Sequence, residues 1–290
     1  MSNIGFIGLG VMGFPMAGYL KEGGHELFVH NRSEKKTSRW VQSYGGSKRS
    51  TPAEVGQECN IVFLCVGRDE DVRSVVSGKD GLLETLDSGS IIVDHTTISA
   101  SLAKELHQKC LEKEISFLDA PVSGGQAGAE KGQLTIMIGG DEEVSSSVQE
   151  YLNTYSKFTK YMGPAGSGQL TKMVNQICIA GLLQGLSEGM NFSELSGLDT
   201  REVIEVISKG AAQSWQMDNR WETMLSDEYD HGFAVDWMIK DLGIAIDQAS
   251  KSNASLEATI LIKDYYQEIK KQGGGRWDTS SLLRRLKLIK

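Results

Sequence analysis

Cysteine and proline are scarce, at four of each in 290 residues. Cys59, Cys65, Cys110 and Cys178 stand apart in apolar or helix-like contexts without a CxxC pair, which argues against a disulfide framework and a paired-thiol metal site. The five histidines show no ligand spacing either, so no metal is expected. Basic residues are in deficit, 30 against 38 acidic, for a net charge of −8; clustered Lys and Arg drive phosphate-backbone and anionic-lipid binding, so neither a nucleic acid nor a membrane is an expected partner. Long apolar runs are wanting too. Residues 4–20 carry no charge, but they hold five glycines and Pro15 and lack a basic leader, which excludes a signal peptide or membrane span. Residues 173–186 are uncharged but are interrupted by Asn175, Gln176 and Gln184, as in a buried helix. A small-molecule partner and a reducing, cytoplasmic location are expected.

With 40% hydrophobic residues and 33 glycines, the chain can bury a sizeable core, and its length exceeds what one core usually organises. The first half alternates short apolar runs with amphipathic segments. Asn3-Ile4-Gly5-Phe6-Ile7 predicts a strand, residues 12–22 a helix, and residues 26–30 a second strand. Ser33 predicts the N-cap of a helix reaching Tyr44. Further strands are predicted at residues 61–65, 91–93, 115–118 and 134–138. Continuous apolar runs separated by helices imply a mostly parallel, doubly wound α/β sheet. After residue 163 no run reads as a strand, so the expected division is a dinucleotide-binding domain over 1–163 and an all-α domain over 164–290. A long helix over about residues 169–195 would open the second domain. Gly181, Gly185 and Gly189 recur on it at a cost of about 0.8–1 kcal/mol each relative to Ala, which predicts another helix packed closely there, from the same domain or a second subunit.

Gly8, Gly10 and Gly13 form G-x-G-x-x-G between a predicted strand and helix. The pattern alone is weak. In this context the glycines permit a tight turn and close backbone approach, and the helix N-terminus attracts a pyrophosphate. An NAD site usually places an acidic residue at the end of the second strand. Here that place holds Asn31-Arg32-Ser33. Arg32 offers a planar fork of donors to a 2′-phosphate, and Lys35 and Lys36 follow, so NADP is expected over NAD. Ser123-Gly124-Gly125 offers a hydroxyl and backbone N–H groups on a flexible chain that can wrap a carboxylate, although glycine clusters also serve plain turns. Lys172 and Asn175 share a helix face.

Four blocks, in order, resemble the β-hydroxyacid dehydrogenases, the group that contains 3-hydroxyisobutyrate dehydrogenase and several semialdehyde reductases. They are Gly5-Phe6-Ile7-Gly8-Leu9-Gly10-Val11-Met12-Gly13; Asp119-Ala120-Pro121-Val122-Ser123-Gly124-Gly125; residues 163–175 with Lys172; and Lys240-Asp241-Leu242. The resemblance implies a Rossmann domain joined to an all-α domain through the long helix. It also implies hydride exchange between NADP(H) and a short β-hydroxyacid or acid semialdehyde. Lys172 would be the general acid/base and Asn175 would hold the substrate carbonyl. Ser123, Gly124 and Gly125 would bind the substrate acid, with Thr97, Phe233 and Asp241 also on the substrate side; Phe233 and Lys240-Asp241 are expected on one helix, after a break at Gly232. The cofactor would meet Gly8 to Gly13, Asn31, Arg32, Ser33, Val66, Thr97 and Lys240. His95 is not required by the family pattern. Trp215, Trp221 and Trp237 are expected to pack in the core, and a homodimer or homotetramer is expected. An imine reductase is disfavoured by Lys172. A cofactor-binding module without turnover is disfavoured because every proposed catalytic position is occupied.

Overall fold

The structure, a computed structural model, describes residues 2–288. Its strands are β1 (Asn3–Ile7), β2 (Glu26–His30), β3 (Ser47–Lys48), β4 (Ile61–Leu64), β5 (Ile91–Asp94), β6 (Ser116–Asp119), β7 (Val122–Ser123), β8 (Leu134–Gly139) and β9 (Ser156–Gly163). The helices between them are α1 (Gly13–Glu22), α2 (Glu34–Tyr44), α3 (Pro52–Gly56), α4 (Asp69–Ser77), α5 (Ala100–Leu111), α6 (Gly125–Glu130), α7 (Glu142–Ser147) and α8 (Gln149–Leu152). There follow α9 (Ser167–Leu195), α10 (Thr200–Ile207), α11 (Trp215–Leu225), α12 (Val235–Ser252), α13 (Glu257–Lys271) and α14 (Leu282–Leu288).

The strands make one sheet in the order β3-β2-β1-β4-β5-β6-β8-β7, with β9 also on β8. Pairing is parallel from β3 to β6, and the reversal at β1, from which the chain leaves toward β2 on one side and β4 on the other, is the crevice where open α/β sheets collect ligands. β8 runs antiparallel to β6 and β7 and parallel to β9. Both faces are covered. Phe6, Phe63, Val93 and Leu118 pack on one side with Met16, Leu20 and Trp40, while Ile7, Val62, Ile92 and Phe117 pack on the other with Val72, Leu102 and Leu106. This is why the strand sequences are continuously apolar and do not alternate.

By packing, the chain divides into Met1–Lys172 and Met173–Lys290. The first two turns of α9 thus belong to the unit that carries the sheet, nine residues beyond the division expected where strand-like runs end. The cause is local. Both carboxylate oxygens of Asp119, at the end of β6, accept N–H bonds from the start of α9: Gly166 to Oδ1 at 2.7 Å and Gln169 to Oδ2 at 2.9 Å. The approach is so close that a Cβ on Gly168 would collide with the Met137 carbonyl oxygen and lie 2.6 Å from that of Asp119.

The second unit has two apolar clusters. Ala180, Leu183, Met238, Leu242, Ile262 and Tyr266 centre one, and Met190, Ile204, Met217, Met224 and Leu283 the other. Here two expectations are corrected and one is narrowed. Nothing lies within 4 Å of a Cβ built on Gly181, Gly185 or Gly189, so among the described residues no helix of the same chain packs against that face, which leaves a second subunit as the expected neighbour. Trp215 is half exposed beneath the Arg220 guanidinium, not a core residue, because it opens α11 at the surface. Phe233 precedes α12 and is not part of it: Gly232 has φ +69°, and the Phe233 N–H bonds to buried Asp278 at 2.7 Å. In the first unit, Ser33 does sit at the N-cap of α2, but its side chain makes no capping bond.

Candidate active site

The glycine turn joins β1 to α1. Gly8 has φ +101°, in the region that favours glycine, and its N–H bonds to the His30 carbonyl at 2.9 Å. A Cβ on Gly13 would strike the Gly8 carbonyl oxygen, so the third glycine is what lets α1 start against the turn. At Gly10 the same construction meets nothing within 4 Å, which leaves the backbone open to a ligand. No side chain caps α1 and no acidic residue lies in its first turn, so the positive end of the helix is not neutralised from within. These features fit a dinucleotide pyrophosphate, which Gly8, Leu9, Gly10, Val11, Met12 and Gly13 would hold.

Asn31, at the end of β2, bridges two turns. Its Oδ1 accepts the Leu9 N–H at 3.0 Å and its Nδ2 donates to the Ser33 carbonyl at 3.2 Å. Arg32 beside it is 92% exposed and reaches Asp71 at 3.5 Å, an exposed pair worth at most about 1 kcal/mol and easily given up for a better anion. Lys35 and Lys36 are exposed on α2. The carboxyl edge of the sheet is knitted further along. The Val66 N–H bonds to Thr96 Oγ1 at 3.0 Å, and the Thr96 N–H bonds to Asp94 Oδ1 at 2.9 Å. His95 is buried with both ring nitrogens engaged, by the Ala120 carbonyl at 2.6 Å and the Tyr155 hydroxyl at 2.9 Å. Burial brings its pKa down to about 4. It is a neutral structural residue.

Ser123 ends β7, and Gly124 and Gly125, with φ +133° and +61°, turn the chain into α6. A Cβ on Gly125 would meet nothing within 4 Å, so this backbone too is open to a ligand. Lys172 lies in the first turns of α9 at 6% exposure. A lysine seldom tolerates such burial without a task, because desolvation disfavours its charge. Asp119, which anchors this turn, has its carboxyl pushed up to about 6 by burial, against the opposing pull of the N–H groups it accepts.

In the second unit a chain of side-chain amides runs through the interior. Asn175 Nδ2 donates to Gln176 Oε1 at 2.8 Å, and Gln176 Nε2 donates to Asp241 Oδ2 at 2.6 Å. The other oxygen of Asp241 pairs with Lys240 Nζ at 3.1 Å, and that ammonium lies 5.7 Å from the centre of the Trp237 ring. Asn175, Lys240 and Asp241 are therefore brought together by Gln176, a residue to which sequence reasoning gave no role. Its signal was a glutamine in an otherwise apolar helical run. Gln169, 0% exposed, was missed as well, and an amide in the first turn of a helix gives no such signal.

Similarity to known proteins extends over nearly the whole chain. Residues 3–163 match the NAD binding domain of 6-phosphogluconate dehydrogenase, and residues 166–286 match the NAD-binding domain of NADP-dependent 3-hydroxyisobutyrate dehydrogenase. An uncharacterized oxidoreductase of Shewanella frigidimarina is 54% identical, the alignment covering 99% of this chain and 98% of that protein. The 2-hydroxy-3-oxopropionate reductase of Escherichia coli is 32% identical, over 99% of this chain and 98% of that one. Among solved structures, Psf3 in complex with NADP+ and 2-OPP is similar with a TM-score of 0.90 at 25% identity, covering 98% of this chain and 99% of the other. The glycine turn, the buried lysine on the long helix and the agreement along both units place the chain in the β-hydroxyacid dehydrogenase family of NAD(P)-dependent oxidoreductases.

Proposed function

We propose that the protein exchanges a hydride between NADP(H) and a short β-hydroxyacid or acid semialdehyde, with Lys172 as general acid in reduction and general base in oxidation. The observation that carries this reading is the burial of Lys172 in the same compact unit as the open glycine turn. When bound, the dinucleotide supplies the two-electron chemistry. The chain supplies everything else. The Ser123 hydroxyl and the Gly124 and Gly125 amides bind the substrate carboxylate, and Lys172 Nζ releases a proton to the carbonyl oxygen as negative charge develops there. Asn175, one turn further along α9, holds that oxygen in register. Val66 and Thr97 would hold the nicotinamide end of the cofactor. Of the residues in the second unit, Lys240 would serve the cofactor, and Phe233 and Asp241 would serve the substrate. Homodimer or homotetramer assembly and a cytoplasmic location complete the proposal.

The preference for NADP rests on Asn31-Arg32-Ser33 in place of an acidic strand end, with the family match to an NADP-dependent enzyme and the NADP+ complex of Psf3 in support. Arg32→Ala is expected to weaken NADPH by about 1.5–3 kcal/mol and to leave NADH nearly unchanged, as loss of a charge-assisted bond to one phosphate requires. Titration of both cofactors checks it, and equal losses for both would defeat the assignment. The reaction is tested by rates with NADPH and NADH against glyoxylate and succinic, methylmalonate and tartronate semialdehydes, and in reverse with serine and 3-hydroxyisobutyrate. Turnover with none of these would favour a binding module.

A further inference from the structure

The side-chain amide of Gln169 clasps a loop on both sides of one residue. Nε2 donates to the Thr96 carbonyl at 2.8 Å, and Oε1 accepts the Ile98 N–H at 3.1 Å. Thr97 stands between the two clasped groups. The loop is held from two other directions, by Asp94 on the Thr96 N–H and by the Thr96 hydroxyl on the Val66 N–H. On the helix side, the Gln169 N–H is fixed by Asp119, and Lys172 lies three residues on, along the same helix face. A buried amide with both ends satisfied has one geometry, and losing either partner would leave a desolvated backbone group unpaired.

We propose that Gln169 is a positioning residue that sets the placement of Lys172 relative to the loop of Thr97. It touches neither substrate nor cofactor. It couples the turn that carries Lys172 to the Thr97 loop and the Val66 backbone, which would hold the cofactor, so that the distance between the lysine and that loop does not drift. The proposal rests on the general-acid reading of Lys172, and the experiment separates the two.

Gln169→Met keeps the volume and removes both bonds. In the cofactor-free protein, hydrogen exchange of the Ile98 amide should quicken. With cofactor and substrate, kcat should fall by about 10- to 100-fold, the scale of an ångström-level misplacement, while the Kd for NADPH stays within about threefold. The primary deuterium isotope effect on kcat should rise, because a misaligned chemical step becomes more fully rate-limiting. A merely structural defect lowers the active fraction and leaves the isotope effect unchanged. In a Lys172→Ala background the same substitution should cost almost nothing further. Unchanged kcat, an unchanged isotope effect, or a full multiplicative loss in the Lys172→Ala background would overturn the proposal. High turnover by Lys172→Ala alone would instead overturn the general-acid reading, while Ile98 exchange and the isotope effect of Gln169→Met still report the clasp with Lys172 in place. Should the methionine variant fail to fold, Gln169→Asn keeps the amide on a side chain one methylene shorter, which cannot reach both loop groups from the same helix position. It should show quicker Ile98 exchange and a smaller kcat loss with a raised isotope effect, and wild-type values of all three would overturn the proposal.

Discussion

Gln169 and Lys172, in the first turns of α9, are almost wholly buried, whereas Gly181, Gly185 and Gly189 further along the same helix face open space beside exposed Leu182 and Phe192. The first stretch is held by Asp119 and by the amide of Gln169. In the later stretch, three glycines that weaken a helix bring no close contact among the described residues in return. One stretch is fixed by its own fold and can hold the proposed proton donor in place. The other has a composition that a single copy of the chain does not account for.

The largest effect is expected where the helix is fixed. Lys172→Ala should lower kcat by about 10²–10⁴-fold with little change in NADPH affinity, and Lys172→Arg should restore little, because the guanidinium holds its proton far above neutral pH. Turnover above about a tenth of wild type in either variant, measured at saturating substrate, would remove Lys172 from the chemistry.

A smaller effect concerns the tether. Asp119 has a folded pKa of about 6, above its unfolded value, so its contribution to stability is present in acid and is lost as pH rises through 6. Buried His95 works in the opposite direction. Its folded pKa, about 4, lies below the unfolded value, so its contribution is lost as pH falls from about 6.5 toward 4. The two slopes largely offset each other between pH 4 and 6. Asp119→Asn removes one of them. The stability gap between wild type and variant should therefore widen toward acid by about 2–3 kcal/mol, at roughly 1.4 kcal/mol per pKa unit. Urea unfolding from pH 7 to 4.5 measures this, and a gap constant with pH would refute it.

The smallest effect belongs to the open face. With nothing near its Cβ position, Gly185→Ala should stabilise the dissociated protomer by about 0.5–1 kcal/mol. If the proposed oligomer packs a second helix there, the same substitution should weaken association, read by sedimentation over a dilution series. Stabilisation of the protomer with unchanged association would place the subunit contact elsewhere.

The central strands and the glycine turn were legible in the sequence because each obeys a local rule: apolar runs for a sheet covered on both faces, and glycines where a Cβ would collide. β9 was not, since its residues face solvent at the sheet margin; Lys157, Phe158, Lys160 and Met162 are all exposed or half-exposed and give no apolar run. Lys172 could be named only by resemblance, because a lone lysine on a helix reads as solvated. Gln169 stayed hidden, and Gln176 showed only as a polar break in an apolar run, for a related reason. What distinguishes them is the partner, and Thr96, Ile98 and Asp241 lie far from them along the chain.

The bridge made by Asn31 bears on how cofactor choice can change over evolutionary time. The Leu9 N–H is held by Oδ1 of that side chain, an atom that aspartate also has. Asn31→Asp would therefore keep the acceptor for the Leu9 N–H, give up the bond to the Ser33 carbonyl, and set a negative charge beside Arg32, where the proposed 2′-phosphate would sit. Asparagine and aspartate codons differ by a single base, so if the proposed preference for NADP holds, a switch toward NAD lies one mutational step away, at the loss of the Asn31–Ser33 bond and not of the one that holds the glycine turn.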